Sequence, residues 1–158
     1  MTKEQIEQMP AGPELDELIE TEIYKSIPLT DGEIDIFKAA AAMSHGQTFR
    51  EKIQLFKIPL SEPDYQTGLM FRLSWPRSWS HDGFGDSARK LVNKMREDGW
   101  LFSLYEVPGS GVETLRIAAF EKLPQSDVRG CQGKAEGNTD ALAISRAALK
   151  AVLSLNER

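Results

Sequence analysis

Apolar residues recur at helical spacing in several stretches of the chain. Leu15, Leu18, Ile19 and Ile23 share one face of a helix predicted from Pro13 to about Lys25, with Glu20 and Glu22 looking outward. Proline suits a first helical turn, where its missing N–H would have no partner. Glu14, Asp16 and Glu17 then lie near the positive end of the helix dipole. Thr30-Asp31-Gly32-Glu33 has the form of a capping box and predicts a second helix, with Ile34, Phe37 and Ala41 as its stripe and Gly46 as its cap. Ala88, Leu91, Val92 and Met95 predict a third, capped by Asp86 and stopped by Gly99. The last helix is predicted from Asn138 or Thr139 to Leu153. Its polar side is only the stripe Arg146, Lys150 and Ser154, so most of its circumference should be buried.

Elsewhere the period is two. Ile53, Leu55 and Lys57 alternate with Gln54 and Phe56 up to Pro59, although a short helix would also fit. Leu69, Phe71, Leu73 and Trp75 alternate with Met70, Arg72 and Ser74, a cleaner strand pattern. Trp100 to Val107 reads as a strand apolar on both faces. Pro108-Gly109-Ser110-Gly111 is turn chemistry, and Val112 to Glu121 is the return strand. Leu115, Ile117 and Ala119 take one of its faces; Arg116, Ala118 and Phe120 take the other. The stretch from Leu123 to Asn138, with Pro124, Gly130, Gly133 and Gly137, reads as an exposed, mobile loop. A greasy final helix and a two-faced strand must hide each other. The simplest architecture that does so is α+β, an antiparallel sheet with helices packed on it, in a single domain over residues 1–158.

The length of 158 residues, with 41% hydrophobic and 27% charged residues, is that of an ordinary globular domain. One cysteine rules out an internal disulfide framework and a multi-cysteine zinc site. No apolar run is long enough for a membrane span, and Met1-Thr2-Lys3-Glu4-Gln5 lacks the apolar stretch of a signal peptide, so export is not expected. A net charge of −5 argues against generic nucleic-acid binding.

Candidate chemistry clusters in the irregular stretch from Pro59 to Asp86. Trp75 and Trp79 flank Pro76-Arg77-Ser78, with His81 and Phe84 behind. Aromatics among Arg72, Arg77 and His81 could stack on a base and pair with a phosphate. The reading favoured over this is that the tryptophans pin the irregular loop to the sheet. His81-Asp82 could do acid–base work, but adjacent residues of an extended loop point apart. His45 lies beside Gly46, far from His81, so a metal site is not expected. Cys131 has no histidine near it in sequence, and Gly130 to Gly137 lacks the spacing of a phosphate-binding loop. Arg146 and Lys150 could line an anion pocket, or cover a helix edge with their stems packed.

Three stretches carry a family resemblance. Met1-Thr2-Lys3-Glu4-Gln5-Ile6-Glu7-Gln8-Met9-Pro10-Ala11-Gly12-Pro13-Glu14-Leu15-Asp16 resembles the opening of the phage ABA sandwich domain family. Gly85-Asp86-Ser87-Ala88 through Glu97-Asp98-Gly99-Trp100 resembles its central helix and following strand, and Asn138 to Val152 resembles its closing helix. The middle, about 27–80, has no counterpart. The resemblance implies an α-β-α sandwich, a phage or prophage origin, and the cytoplasm of a bacterial host. It carries over no catalytic residue and no cofactor. The expectation is an accessory protein that binds rather than catalyses, such as a counter-defence factor. Its partner would be a small nucleotide-like ligand held by Arg72, Trp75, Arg77, Trp79, His81 and Arg146, or a host protein that it inhibits. A small hydrolase is the remaining reading.

Overall fold

Helix formation starts earlier than the hydrophobic pattern suggests. Thr2 and Gln5 form a reciprocal capping box, Gln5 N to Thr2 Oγ1 at 3.3 Å and Thr2 N to Gln5 Oε1 at 2.8 Å, and this starts a short helix that buries Ile6. The computed structural model describes residues 1–43, 55–65, 67–74, 77–81, 85–109, 111, 114–123 and 130–157, without the side chains at 37, 38, 40–43 and 131. In chain order its elements are α1 (Lys3–Gln8), α2 (Pro13–Glu22), β1 (Ile27–Pro28), α3 (Asp31–Met43), β2 (Phe56–Pro59), β3 (Phe71–Ser74), α4 (Asp86–Glu97), β4 (Leu101–Pro108), β5 (Thr114–Lys122), β6 (Cys131–Gly137) and α5 (Asp140–Asn156). The expected α+β class holds, with helices packed on antiparallel strands. The chain divides into two compact units, residues 24–76 and the remainder.

In the unit of residues 24–76, β1, β2 and β3 form an antiparallel sheet in that order. Phe56 pairs with Ser74 and Pro59 with Phe71, so the expected strand is present over Phe56–Pro59; Ile53 and Gln54 lie outside the described residues. The adjacent Leu55 and Phe56 are both buried, which departs from the alternate faces read from the sequence. The expected capping box forms. Thr30 N–H donates to Glu33 Oε1 at 3.0 Å, and Glu33 N–H to Thr30 Oγ1 at 3.4 Å. Glu33 also pairs with Lys57 of β2 at 2.8 Å, and that ammonium holds the Glu33 carboxyl below its usual range. His45 and Gly46 lie outside the described residues.

In the other unit, β4, β5 and β6 form a second antiparallel sheet in that order. The hairpin pairs Leu101 with Glu121 through to Pro108 with Thr114, without a bulge. The largest departure from sequence expectation is β6. Residues 131–137 are a strand paired with β5 from Lys122↔Cys131 to Arg116↔Gly137, not an exposed loop. Its pattern is small against polar. Gly133, Ala135 and Gly137 are buried, while Gln132, Lys134 and Glu136 are exposed. The small side is where α5 lies. A Cβ on Gly133 would stand 2.2 Å from Ala147 O and from Ala151 N, and one on Gly137 would stand 2.6 Å from Ala143 N. Glycine here lets a helix backbone rest directly on a strand.

Helices cover the face of this sheet that carries Phe102, Leu104, Ala118 and Phe120. Ala143, Ile144, Ala147, Ala148, Leu149 and Ala151 of α5 are fully buried there or against α1, α2 and α4. Thr139 caps α5 by accepting from Leu142 N–H at 3.2 Å, as the sequence suggests. The cap of α4 differs from expectation. Gly85 holds the N-cap position, and Asp86 sits inside the first turn, paired with Arg89 at 2.5 Å. Gly99, at φ +88, turns the chain from α4 into β4.

Candidate functional site

The loop of residues 77–81, where the sequence concentrates aromatic and basic residues, is bound to α2 through two buried carboxylates. Asp16 and Glu20 are one helical turn apart and share a face. Asp16 Oδ1 accepts from Trp79 N–H at 3.0 Å, Ser80 N–H at 2.9 Å and Ser80 Oγ at 2.8 Å. Glu20 Oε1 accepts from the Trp79 indole N–H at 3.0 Å and from Arg77 N–H at 3.3 Å. Gly12 N–H donates to Ser80 Oγ at 3.0 Å, and Ser145 Oγ of α5 donates to Trp79 O at 3.2 Å. Glu20 therefore points inward, contrary to the outward placement read from the helical pattern. Buried donors from the loop compensate its burial. Burial pushes the Asp16 carboxyl up from its ordinary value, against the opposing pull of the donors from Ser80 and Trp79 and of nearby His81.

The binding residues expected from sequence fall in different environments. Trp79 is only 1% exposed, and its ring lies in the core with the Arg77 guanidinium 5.7 Å from its centroid. Arg77 and His81 are exposed. Arg72 is exposed on β3, in the other unit. Trp75, Asp82 and Phe84 lie outside the described residues, as does the Cys131 side chain.

Arg146 is neither an open anion site nor a solvated edge. Its Nε and Nη2 donate to Met9 O at 3.1 and 2.7 Å, and its Nη1 donates to Glu136 O at 2.8 Å. One guanidinium fork thus ties the end of α1 to β6, and burial pushes it below the ordinary arginine range. Lys150 joins the same clamp through Glu7 Oε2 at 2.6 Å. Arg146→Lys is expected to lower unfolding stability by about 1–2 kcal/mol, because a single ammonium cannot reproduce the fork. Hydrogen exchange is the check: amides of α1 should lose protection before those of α4.

Sequence reasoning missed the outer face of the second sheet. The register aligns Leu101, Ser103, Tyr105 and Val107 of β4 with Glu121, Ala119, Ile117 and Leu115 of β5. Lys134 and Glu136 of β6 continue two of these rows. Leu101 is 56% exposed and Tyr105 42%. Ile117 and Ala119 are buried beneath Tyr105 and Lys134, whose ammonium lies 5.8 Å from the Tyr105 ring centroid. The Tyr105 hydroxyl holds the Lys134 ammonium above the ordinary lysine range. The signal was present in the two-faced apolar pattern of Trp100–Val107, but the expectation was that both faces would be hidden.

Among the described residues no group of three or more His, Cys, Asp or Glu side chains is placed to hold a metal ion, and no helix is long and apolar enough to cross a membrane. Comparison with family models, curated proteins and solved structures finds no match to this chain, so the likeness to the phage ABA sandwich domain family rests on the quoted residues alone.

Proposed function

We propose that the protein works by binding a protein partner, and that the partner docks on the outer face of the β4–β5–β6 sheet. The observation that carries this reading is the exposure of Leu101 and Tyr105 on a face whose centre is already apolar at Ile117 and Ala119. Its rim is polar, with Glu121, Gln132, Lys134 and Glu136. An apolar centre inside a polar rim is the usual anatomy of a protein interface, and tyrosine suits it because it offers area at low entropic cost. If the chain has the phage or prophage origin implied by the resemblance, the partner would be a host protein in the bacterial cytoplasm, and the role would be counter-defence. Sequestration of a nucleotide-like ligand draws less support. Arg77 and His81 could meet a phosphate, but the Trp79 ring that would stack on the base is inside the core.

Leu101→Asp and Lys134→Glu separate the readings, because both alter exposed positions of the outer face. A partner captured on the immobilised wild-type chain should be retained at least about tenfold less well by the double variant. The variant should melt within a few degrees of wild type. Undiminished capture would refute docking on this face. A nucleotide mixture that raises the melting temperature, with the rise lost in Arg77→Ala, would instead establish the small-ligand reading.

A further inference from the structure

We infer that the free edge of β4 pairs antiparallel with β4 of a second copy of this chain, about a two-fold axis through Leu104. This inference stands independently of the docking face above.

The sheet has two edges, and the chain treats them differently. On β6 the outward backbone of Glu136 is occupied. Glu136 N–H donates to Glu7 Oε1 at 3.2 Å, and Glu136 O accepts from Arg146 Nη1 at 2.8 Å. Side chains from α1 and α5 thus close that edge at Glu136. On β4 no backbone group is bonded outward among the described residues. The strand also lacks the usual protections of an edge. It has no lysine, no bulge, and no proline before its last residue, Pro108.

Alternation of hydrogen bonds fixes which groups are free. Because Glu136 directs its N–H and C=O away from β5, its partner Ile117 must direct its own toward β4. Ile117 therefore bonds Tyr105, and Leu101, Ser103 and Val107 likewise face β5. The outward groups belong to Phe102, Leu104 and Glu106. Pro108 has the same parity, which turns its missing N–H to the outside, where an edge strand tolerates proline.

Self-pairing must match these residues with one another. With Leu104 opposite Leu104, Phe102 meets Glu106 and Glu106 meets Phe102, so all three contribute and about six hydrogen bonds form. Shifting the axis to Phe102 or Glu106 uses fewer, and the latter sets two carboxylates face to face; an axis through Ser103 or Tyr105 forms about as many but does not set Glu106 opposite Phe102, so charge decides among them. The Leu104 register also matches charge. Glu106 pairs with Arg116 of its own chain through Oε1, and the Arg96 guanidinium lies 5.7 Å from the Phe102 ring centroid, so the other carboxylate oxygen of the second copy's Glu106 would arrive beside Arg96. An isologous pairing of this kind closes on itself and leaves no growing edge.

Sedimentation of the full chain should give a dimer with a dissociation constant of about micromolar order. Arg96→Glu, on the exposed side of α4, should weaken the dimer about tenfold, because the contact occurs twice. In a Cys131→Ser background, a short bifunctional thiol reagent should join Leu104→Cys to its copy and should not join Phe102→Cys. A wild-type chain that stays monomeric at about a hundred times that concentration overturns the inference. So does an association that Arg96→Glu leaves unchanged, or a cross-link that forms at 102 and not at 104.

Discussion

Gly133→Ala, the addition of one methyl group, is expected to destabilise the protein by about 3–5 kcal/mol, above the ordinary range for an overpacked core. The methyl carbon would sit 2.2 Å from Ala147 O and from Ala151 N. Those are backbone atoms of α5, so no side chain can rotate away. Relief requires α5 to lift from β6, and that helix carries much of the core: Ile144, Ala147, Ala148, Leu149 and Ala151 are all fully buried. Gly32→Ala is the control, since its added carbon would meet nothing within 4 Å. It should leave stability unchanged or raise it by up to about 1 kcal/mol. Urea unfolding followed by circular dichroism measures both. A loss at Gly133 under about 1 kcal/mol would mean that α5 does not rest on β6 as described.

The same contact shows where sequence reading succeeds and where it stops. The greasy circumference of α5 was legible, because burial on nearly all sides leaves only Arg146, Lys150 and Ser154 as a polar stripe. The hairpin was legible too, because Pro108-Gly109 separates two alternating runs. The strand at 131–137 was not. Its inward residues are Gly133, Ala135 and Gly137, the types that signal a loop when read locally. What makes them a strand is tertiary, since a helix presses on them and β5 supplies their hydrogen bonds. The signal was an alternation of small and polar residues, which a search for large apolar side chains passes over.

The site divides the same way. Sequence reasoning located the loop at 77–81 and weighed tryptophans that stack on a ligand against tryptophans that pin the loop. Trp79 does the pinning. What could not be read was its anchor, because Asp16 and Glu20 are acidic residues on an amphipathic helix and such residues usually face water. Partners about sixty residues away turn them inward. Arg146 gives a parallel case. Its charge is directed to two backbone carbonyls, one of them at the end of a helix that the hydrophobic pattern alone does not reveal. Long-range satisfaction of polar groups leaves almost no trace in local pattern.

Asp16→Ala should therefore be among the most damaging changes in α2, with an expected loss of about 3–5 kcal/mol. The carboxylate is 4% exposed, and one of its oxygens receives three donors. Its removal leaves the N–H groups of Trp79 and Ser80 buried without that acceptor. Each such orphan costs about 1–3 kcal/mol. Asp16→Asn keeps a carbonyl oxygen at the same place and should lose roughly half as much. The pair also separates geometry from charge. Burial raises the Asp16 pKa in the folded protein above the 3.8 of an ordinary aspartate, so between the two values the folded state binds more protons than the unfolded state. Stability contributed by this group is then present below pH 3.8 and declines as pH rises through the folded pKa. The asparagine variant has no proton to lose, so its unfolding free energy, measured against pH from about 3.5 upward, should lack that component of the decline. If wild type and Asp16→Asn trace parallel curves, burial of Asp16 does not govern its titration.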